Sequence, residues 1–225
     1  MVWPVYPASA SLRSGPVAAF LANIGVNASH TARSPLHADG SFLVLPIPEA
    51  GAWAAPMRRL QDPDLAELAS AAPERWLGRP VHLDPDLSAS TPTYGDNCRT
   101  AGRAFSLRRA KPGDGIWFAA RLHGLGSAGL HLVGRLEIAA VAADVCEDPG
   151  PGWWDRNAHV LRARATGVWN SFWVFQGTDR SGWLPRAIPL RLRTVEDLFG
   201  HCAWPPHATE QQVIAWHTRA VRRIA

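Results

Sequence analysis

Two short segments place an asparagine just ahead of a histidine: Asn27 and His30 in "GVNASH" (25–30), and Asn157 and His159 in "RNAHVLRA" (156–163). Asparagine offers a paired donor and acceptor that can match a base edge. Histidine exchanges a proton near neutral pH, or hydrogen-bonds a base or sugar. Ser29 lies within the first pair, Arg33 and Ser34 follow it, and Arg162 follows the second. Two further polar clusters are "TYGDN", with Tyr94, Asp96 and Asn97, and "HTRAVRR", with His217, Thr218, Arg219, Arg222 and Arg223. If the two Asn–His segments lie on different strands and face one cleft, they form a site for a base or nucleotide. Each cluster also has a plainer reading. Asn27 after a glycine suits a left-handed turn that Ser29 caps. His159 in a strand-like run suits a hydrogen-bonded core histidine. Asp96 suits a turn, and the last arginines a solvated helix face.

Other chemistries find less support. No HxH, HExxH or DxD pattern has the spacing of a helix- or strand-borne metal site, and "HLDPD" (82–86) is the nearest candidate. No metal is expected. There is no G-x-S-x-G elbow, Walker loop or dinucleotide fingerprint, so no cofactor is expected either. "GLGSAGL" (124–130) reads as a hairpin tip.

The elements that must position these residues follow from periodicity. "VAAFLANIGV" (17–26) is a first strand, and "SFLVLPI" (41–47) a second whose prolines make it an edge or end it. "DPDLAELASAAPERWL" has helical spacing at Leu65, Leu68 and Ala69, stopped by Pro73. Residues 79–104 are polar and aperiodic, and so long a stretch is usually functional or disordered. "KPGDG" is a turn before the strand "IWFAARL"; "GLHLVGRLEIAAVAADV" (129–145) is another that continues into a second. "WWDRNAHVLRARA" is a short helix or turn feeding a strand, and "NSFWVFQGT" (170–178) is strongly β-prone. "TVEDLFG" is helical after Thr194, and "ATEQQVIAWHTRAVRRIA" reads as an amphipathic helix. The sum is a single α+β domain, with a curved mixed sheet or a barrel flanked by helices.

The chain has 225 residues, a net charge of +4 and a pI near 9.5, and Lys111 is its one lysine. Arginine forks onto phosphates and stacks on bases, so this bias fits nucleic-acid contact; biased codon usage yields the same composition. Eleven tryptophans stand against two tyrosines. Most suit a core, and a few suffice for an aromatic cage around a base. Three scattered cysteines exclude a zinc ribbon or disulfide framework and fit reduced thiols in a cytoplasmic protein. No apolar run approaches the roughly 20 residues that span a bilayer. Residues 1–16 read as a Pro-rich leader and 17–225 as the domain.

The blocks "ANIGVNASH…SPLHADGSFLVLPIPE", "VHLDPDL…TYGDN", "LRRAKPGDGIWFAARL", "HLVGRLEI", "NAHVLRA", "FWVFQGT" and "HTRAVRRI" resemble, in order, the third nucleotide-modification-associated domain family. Its members are often described as DNA base hypermodification proteins. The resemblance carries over Asn27, Ser29, His30 and Ser34, then Asp84, Tyr94, Gly95 and Asp96, then Asn157, His159, Arg162, Trp173, Thr218 and Arg219. It implies DNA or a modified nucleotide as partner, alongside other components of a DNA-modification or restriction system. "KPGDGIWFAARL…LHLVGRLEI" is also similar to a stretch of PUA-like domains (EVE, YTH and ASCH relatives), which hold an extruded base in an aromatic pocket.

Three functions are consistent with these residues. The first is a binder of an extruded, modified base: Asn27, His30, Asn157 and His159 bond its edge with Ser29, Ser34 and Tyr94 beside them, Trp117 or Trp173 stacks on it, and Arg33, Arg162 and Arg219 hold phosphates. The second is a transferase or hydrolase acting on the same ligand, with His30 or His159 as general acid or base oriented by Asp96 or an asparagine. The third is a non-catalytic interaction subunit.

Overall fold

The computed structural model describes residues 18–27, 29–51, 57–99, 102–124, 127–191 and 222–224. β1 (Ala19–Ile24) is the apolar run expected at the head of the domain. It runs parallel to β6 (Gly115–Gly124) on one side and antiparallel to β10 (Arg222–Ile224) on the other. A strand covered on both faces needs apolar residues at successive positions. Phe20 and Leu21, on opposite faces, are both buried. The turn before β6 sets this pairing. The buried Asp114 carboxylate accepts the backbone N–H of Ala18 at 3.1 Å and of Lys111 at 3.1 Å, and Gly113 supplies a φ of +90°.

β7 (Ser127–Val145) organises the rest. Its first part pairs with β6 and β9 (Gly182–Pro189), and its last part with β8 (Phe172–Gly177). Register shifts at Ile138/Ala140 and Ala142/Val145 mark bulges, which bend a long strand and increase its twist. β8 in turn pairs antiparallel with β5 (Thr93–Asp96). The eight-stranded mixed sheet has the order β10-β1-β6-β7-β8-β5, and β2 (Ser34–Pro35) lies along the end of β6. β3 (Ile47–Pro48) and β4 (Val81–His82) form a separate two-stranded ladder. Among the described residues, helix is confined to short 3-10 turns, α1 (Ala66–Ala71) and α2 (Ala158–Thr166).

Strand alternation divides the core. Phe20, Phe118, Tyr94, Trp173 and Phe175 pack on one face, while Leu21, Ala119, Leu132 and Trp117 pack on another. α2 lays Val160 and Ala163 on Phe172 and Val174 of β8. Val81 joins Val26, Leu45, Leu60 and Trp76 in a cluster that anchors the small ladder. Each large side chain buried in this way contributes roughly 1.5–3 kcal/mol.

The single α+β domain with a large mixed sheet is as expected, but over the described residues the sheet does not close into a barrel. "SFLVL" is not a ladder strand. It makes one bridge, Leu36 with Phe42, and the Leu45 N–H goes to Ser34 Oγ instead. The Leu43 N–H goes to the Pro35 carbonyl at 3.2 Å, and Pro46 has no N–H with which to extend a ladder. His159 lies on a helix rather than in a strand-like run. Residues 222–224 are strand, not the end of a helix; in the sheet their N–H and C=O groups pair with β1. Arg219, Thr218, His217 and the helix expected at "TVEDLFG" lie outside the described residues. No described helix is long and apolar enough to cross a membrane.

Candidate functional site

The aperiodic stretch 79–104 supplies one wall of the site, and α2 supplies the other. On β5, alternation sends Tyr94 into the main core, where its ring meets Phe118 at 5.1 Å and Phe175 at 6.3 Å. Thr93 and Gly95 therefore face α2. The helix starts where Asn157, fully buried, caps it: its Oδ1 accepts the His159 N–H at 3.0 Å. It stops at Gly167 in the left-handed region. The Asn157 amide also donates to Thr93 Oγ1 at 3.3 Å and to Asp84 Oδ1 at 3.4 Å. One side chain thus fastens the helix start, β5 and the segment after β4.

Gly95 is tightly constrained. Its N–H is 3.0 Å from each Asp84 oxygen. A Cβ there would stand 2.5 Å from His159 Cδ2 and 2.9 Å from Asn157 Oδ1. Only glycine lets the strand come this close to the histidine ring.

Three polar atoms converge in this space. His82 Nε2 is 3.3 Å from His159 Nε2, and Asp84 Oδ2 is 3.4 Å from His159 Nε2 and 3.8 Å from His82 Nε2. Behind His82, Glu49 Oε1 lies 3.1 Å from Nδ1. Arg162 Nε approaches the other Glu49 oxygen at 3.8 Å, and Arg79 donates to the Glu49 carbonyl. Arg162 reaches Glu49 from α2 because it lies one turn after His159, on the same helix face.

Burial dominates the electrostatics. It pushes the Asp84 carboxyl up to about 8, against the charge of His82 and the Gly95 N–H. It pushes His159 down to about 4, opposed mainly by the charge of Asp96. For Glu49, burial acts upward, but the His82 hydrogen bond and the charges of His82 and Arg162 win and hold it below its ordinary value. The centre is sheltered but not sealed: the side chains of Asp84, His159 and His82 are 3%, 13% and 19% exposed. Arg156 and Arg162, 57% and 47% exposed, flank it through Asp86 and Glu49. Asp84, Pro85 and Asp86 also form part of the wall of a cleft of about 290 Å³, with Phe42 and Trp183 among its other lining residues.

The expected site residues divide. Asn157, His159 and Arg162 come together here, with Asp84. Asp96 lies close enough to act on His159, but it accepts the Tyr94 hydroxyl at 2.8 Å; the carboxylate in contact with His159 is Asp84. Trp173 is buried in the main core beneath Arg108. Trp117 stands on another face, 5.7 Å from the Arg135 guanidinium, in a separate cleft of about 300 Å³.

The "GVNASH" segment is a turn that bonds to itself. Asn27 Oδ1 accepts the Ser29 N–H at 2.9 Å and its hydroxyl at 2.6 Å, and His30 Nδ1 accepts the Asn27 N–H at 3.1 Å. Arg33 donates to the carbonyls of His30 and Ala32, while Ser34 is buried under the Leu45 N–H. His30 meets the edge of Trp76, 6.4 Å away.

Sequence reasoning passed over His82, Glu49 and Thr93 as site residues. The signals were there: "HLDPD" contains His82 and Asp84, and Glu49 closes "PIPE". Among the described residues, His82, Asp84 and His159 are the one group placed to share a metal ion.

No curated protein and no solved structure matches this chain. The family described as nucleotide modification associated domain 3 matches residues 19–207, which include every residue of the centre. The chain that folds β4, β5 and α2 around His82, Asp84 and His159 belongs to the nucleotide modification associated domain 3 family.

Proposed function

We propose that this protein is an enzyme of DNA modification that acts on a base or nucleotide at the His82–Asp84–His159 centre. The observation that carries this reading is the convergence of three ionisable side chains, from β4 with the segment just after it and from α2, at one sheltered point. Burying such groups is costly, and perturbed titration of this kind concentrates at reaction centres. His82 and His159 present ring nitrogens, and Asp84 a carboxyl oxygen, to one point where a water or hydroxyl can be held and activated. A hydrolase or group transferase needs that much to activate water or a hydroxyl.

The surroundings suit an anionic, aromatic ligand. Arg156 and Arg162 lie at the rim, within reach of a phosphate. Phe42 and Trp183 offer the cleft beside Asp84 an aromatic surface for a base. These two replace Trp117 and Trp173, which do not stand beside the centre.

The test is a full nucleoside digest of DNA incubated with the protein and candidate group donors, read by mass. A new or lost nucleoside is expected. It should vanish in His159→Ala and persist in His30→Ala. No mass change with any substrate would sink the enzyme reading. Salt-dependent binding of modified DNA without turnover would instead favour a binder of an extruded base, a reading that the Phe42–Trp183 cleft also supports.

A further inference from the structure

We propose that His82 Nε2, His159 Nε2 and Asp84 Oδ2 are the protein ligands of a divalent zinc-type cation. The three atoms form a triangle with sides of 3.3, 3.4 and 3.8 Å. The circle through its corners has a radius of about 2.0 Å, the length of Zn–N and Zn–O bonds. An ion slightly out of that plane reaches all three at once. Neighbouring ligands of a tetrahedral ion with such bonds stand about 3.4 Å apart, against about 3.0 Å around an octahedral one. The observed sides favour the tetrahedral ion.

The hydrogen bonding points the same way. Glu49 holds His82 Nδ1, so the Nδ1 proton stays on that side and the Nε2 lone pair faces the cluster. A lone pair on His82 Nε2 then confronts a second imidazole nitrogen and a carboxylate oxygen. One proton can bridge only one of these three contacts, whereas a cation satisfies all of them.

The supporting shell is also that of a ligand set. A carboxylate behind a histidine, as Glu49 stands behind His82, fixes the ring and raises its basicity towards a metal. Asn157 engages Asp84 Oδ1 and the Gly95 N–H is shared between both oxygens, which fixes the carboxyl with Oδ2 towards the two rings. Three protein ligands leave a fourth position open, the pattern of catalytic rather than structural zinc.

The inference uses the same residues as the proposed reaction centre, but it does not require nucleotide chemistry. The full chain, dialysed against chelator, is titrated with Zn²⁺ by calorimetry and with Co²⁺ by visible absorption. One equivalent should bind, with the intense visible bands of tetrahedral Co²⁺. Glu49→Gln should weaken binding by about 10–100-fold, the usual cost of losing an outer partner. His82→Ala and Asp84→Asn should weaken it further, and His30→Ala should leave it unchanged. No stoichiometric uptake would overturn the assignment, as would uptake unaltered in a folded His82→Ala variant. If the ligand variants do not fold, the Co²⁺ spectrum and Glu49→Gln decide it. Metal uptake without nucleoside conversion would overturn the enzyme reading alone. Conversion by protein that takes up no metal would overturn this one alone.

Discussion

Asn27–His30 and Asn157–His159 carry the same two residue types at nearly the same spacing, yet the fold uses them differently. In the first pair the asparagine closes a turn on Ser29 and His30, and Asn27 is exposed to solvent. In the second the asparagine is fully buried and caps a helix, and its free amide reaches 73 residues back to Asp84. Water satisfies an exposed turn at little cost. A buried amide must find partners within the protein, and those partners bring the reactive groups with them. The chemistry of an Asn–His pair is therefore decided by what lies across from it.

Substitutions can break this comparison. Asn157→Ala should have the largest effect, about 3 kcal/mol, from loss of the helix cap and of buried bonds to Thr93 and Asp84. Denaturant unfolding measures it, and Asn27→Ala serves as its counterpart. Next comes Gly95→Ala, whose methyl group must displace His159 or Asn157. A loss of about 1–3 kcal/mol is expected, together with loss of Zn²⁺ uptake. If uptake survives with wild-type affinity, the close approach of β5 to His159 is not what sets the site. Trp183→Ala should weaken nucleotide binding by about 1–3 kcal/mol while leaving metal uptake intact, which fluorescence titration and calorimetry together resolve. The smallest changes belong to the turn. Asn27→Ala and His30→Ala should each shift stability by less than about 0.5 kcal/mol, as surface replacements do. Should Asn27→Ala cost as much as Asn157→Ala, the contrast between the two segments is lost.

Legibility followed the range of the interactions. β1, β6, β7 and β8 were visible because their alternation and apolar runs are local records of burial. "KPGDG" announced its turn through glycine and aspartate, and Asp114 does cap the start of β6. "SFLVL" misled because its alternation is that of a strand, while its backbone donors go to a serine side chain and to Pro35. The tryptophans misled for a different reason. Composition reports how many aromatic rings there are, but not that Trp117 and Trp173 pack on different faces of the sheet.

The centre was only half legible. Asn157, His159 and Arg162 stood out as a motif, and the helix explains their spacing: the ring follows the cap in the first turn and the guanidinium lies about one turn further on. His82 and Asp84 sat in a segment with no period, where "HLDPD" is the one local sign of a ligand and nothing local supplies its partner His159. Asp96 is the carboxylate expected to orient a histidine, and strand alternation explains why Asp84 holds that place instead. Gly95 faces α2, so its neighbours on β5 point the other way.

By itself the sequence determined the membership in the family, the mixed α+β character and the main strands, because pattern and propensity act over a few residues. The tertiary structure alone decided that residues 49, 82, 84, 95, 157 and 159 meet. Their contacts span up to 77 positions, and only the pairing of β5 with β8 and the seat of α2 on that sheet bring them within hydrogen-bond range.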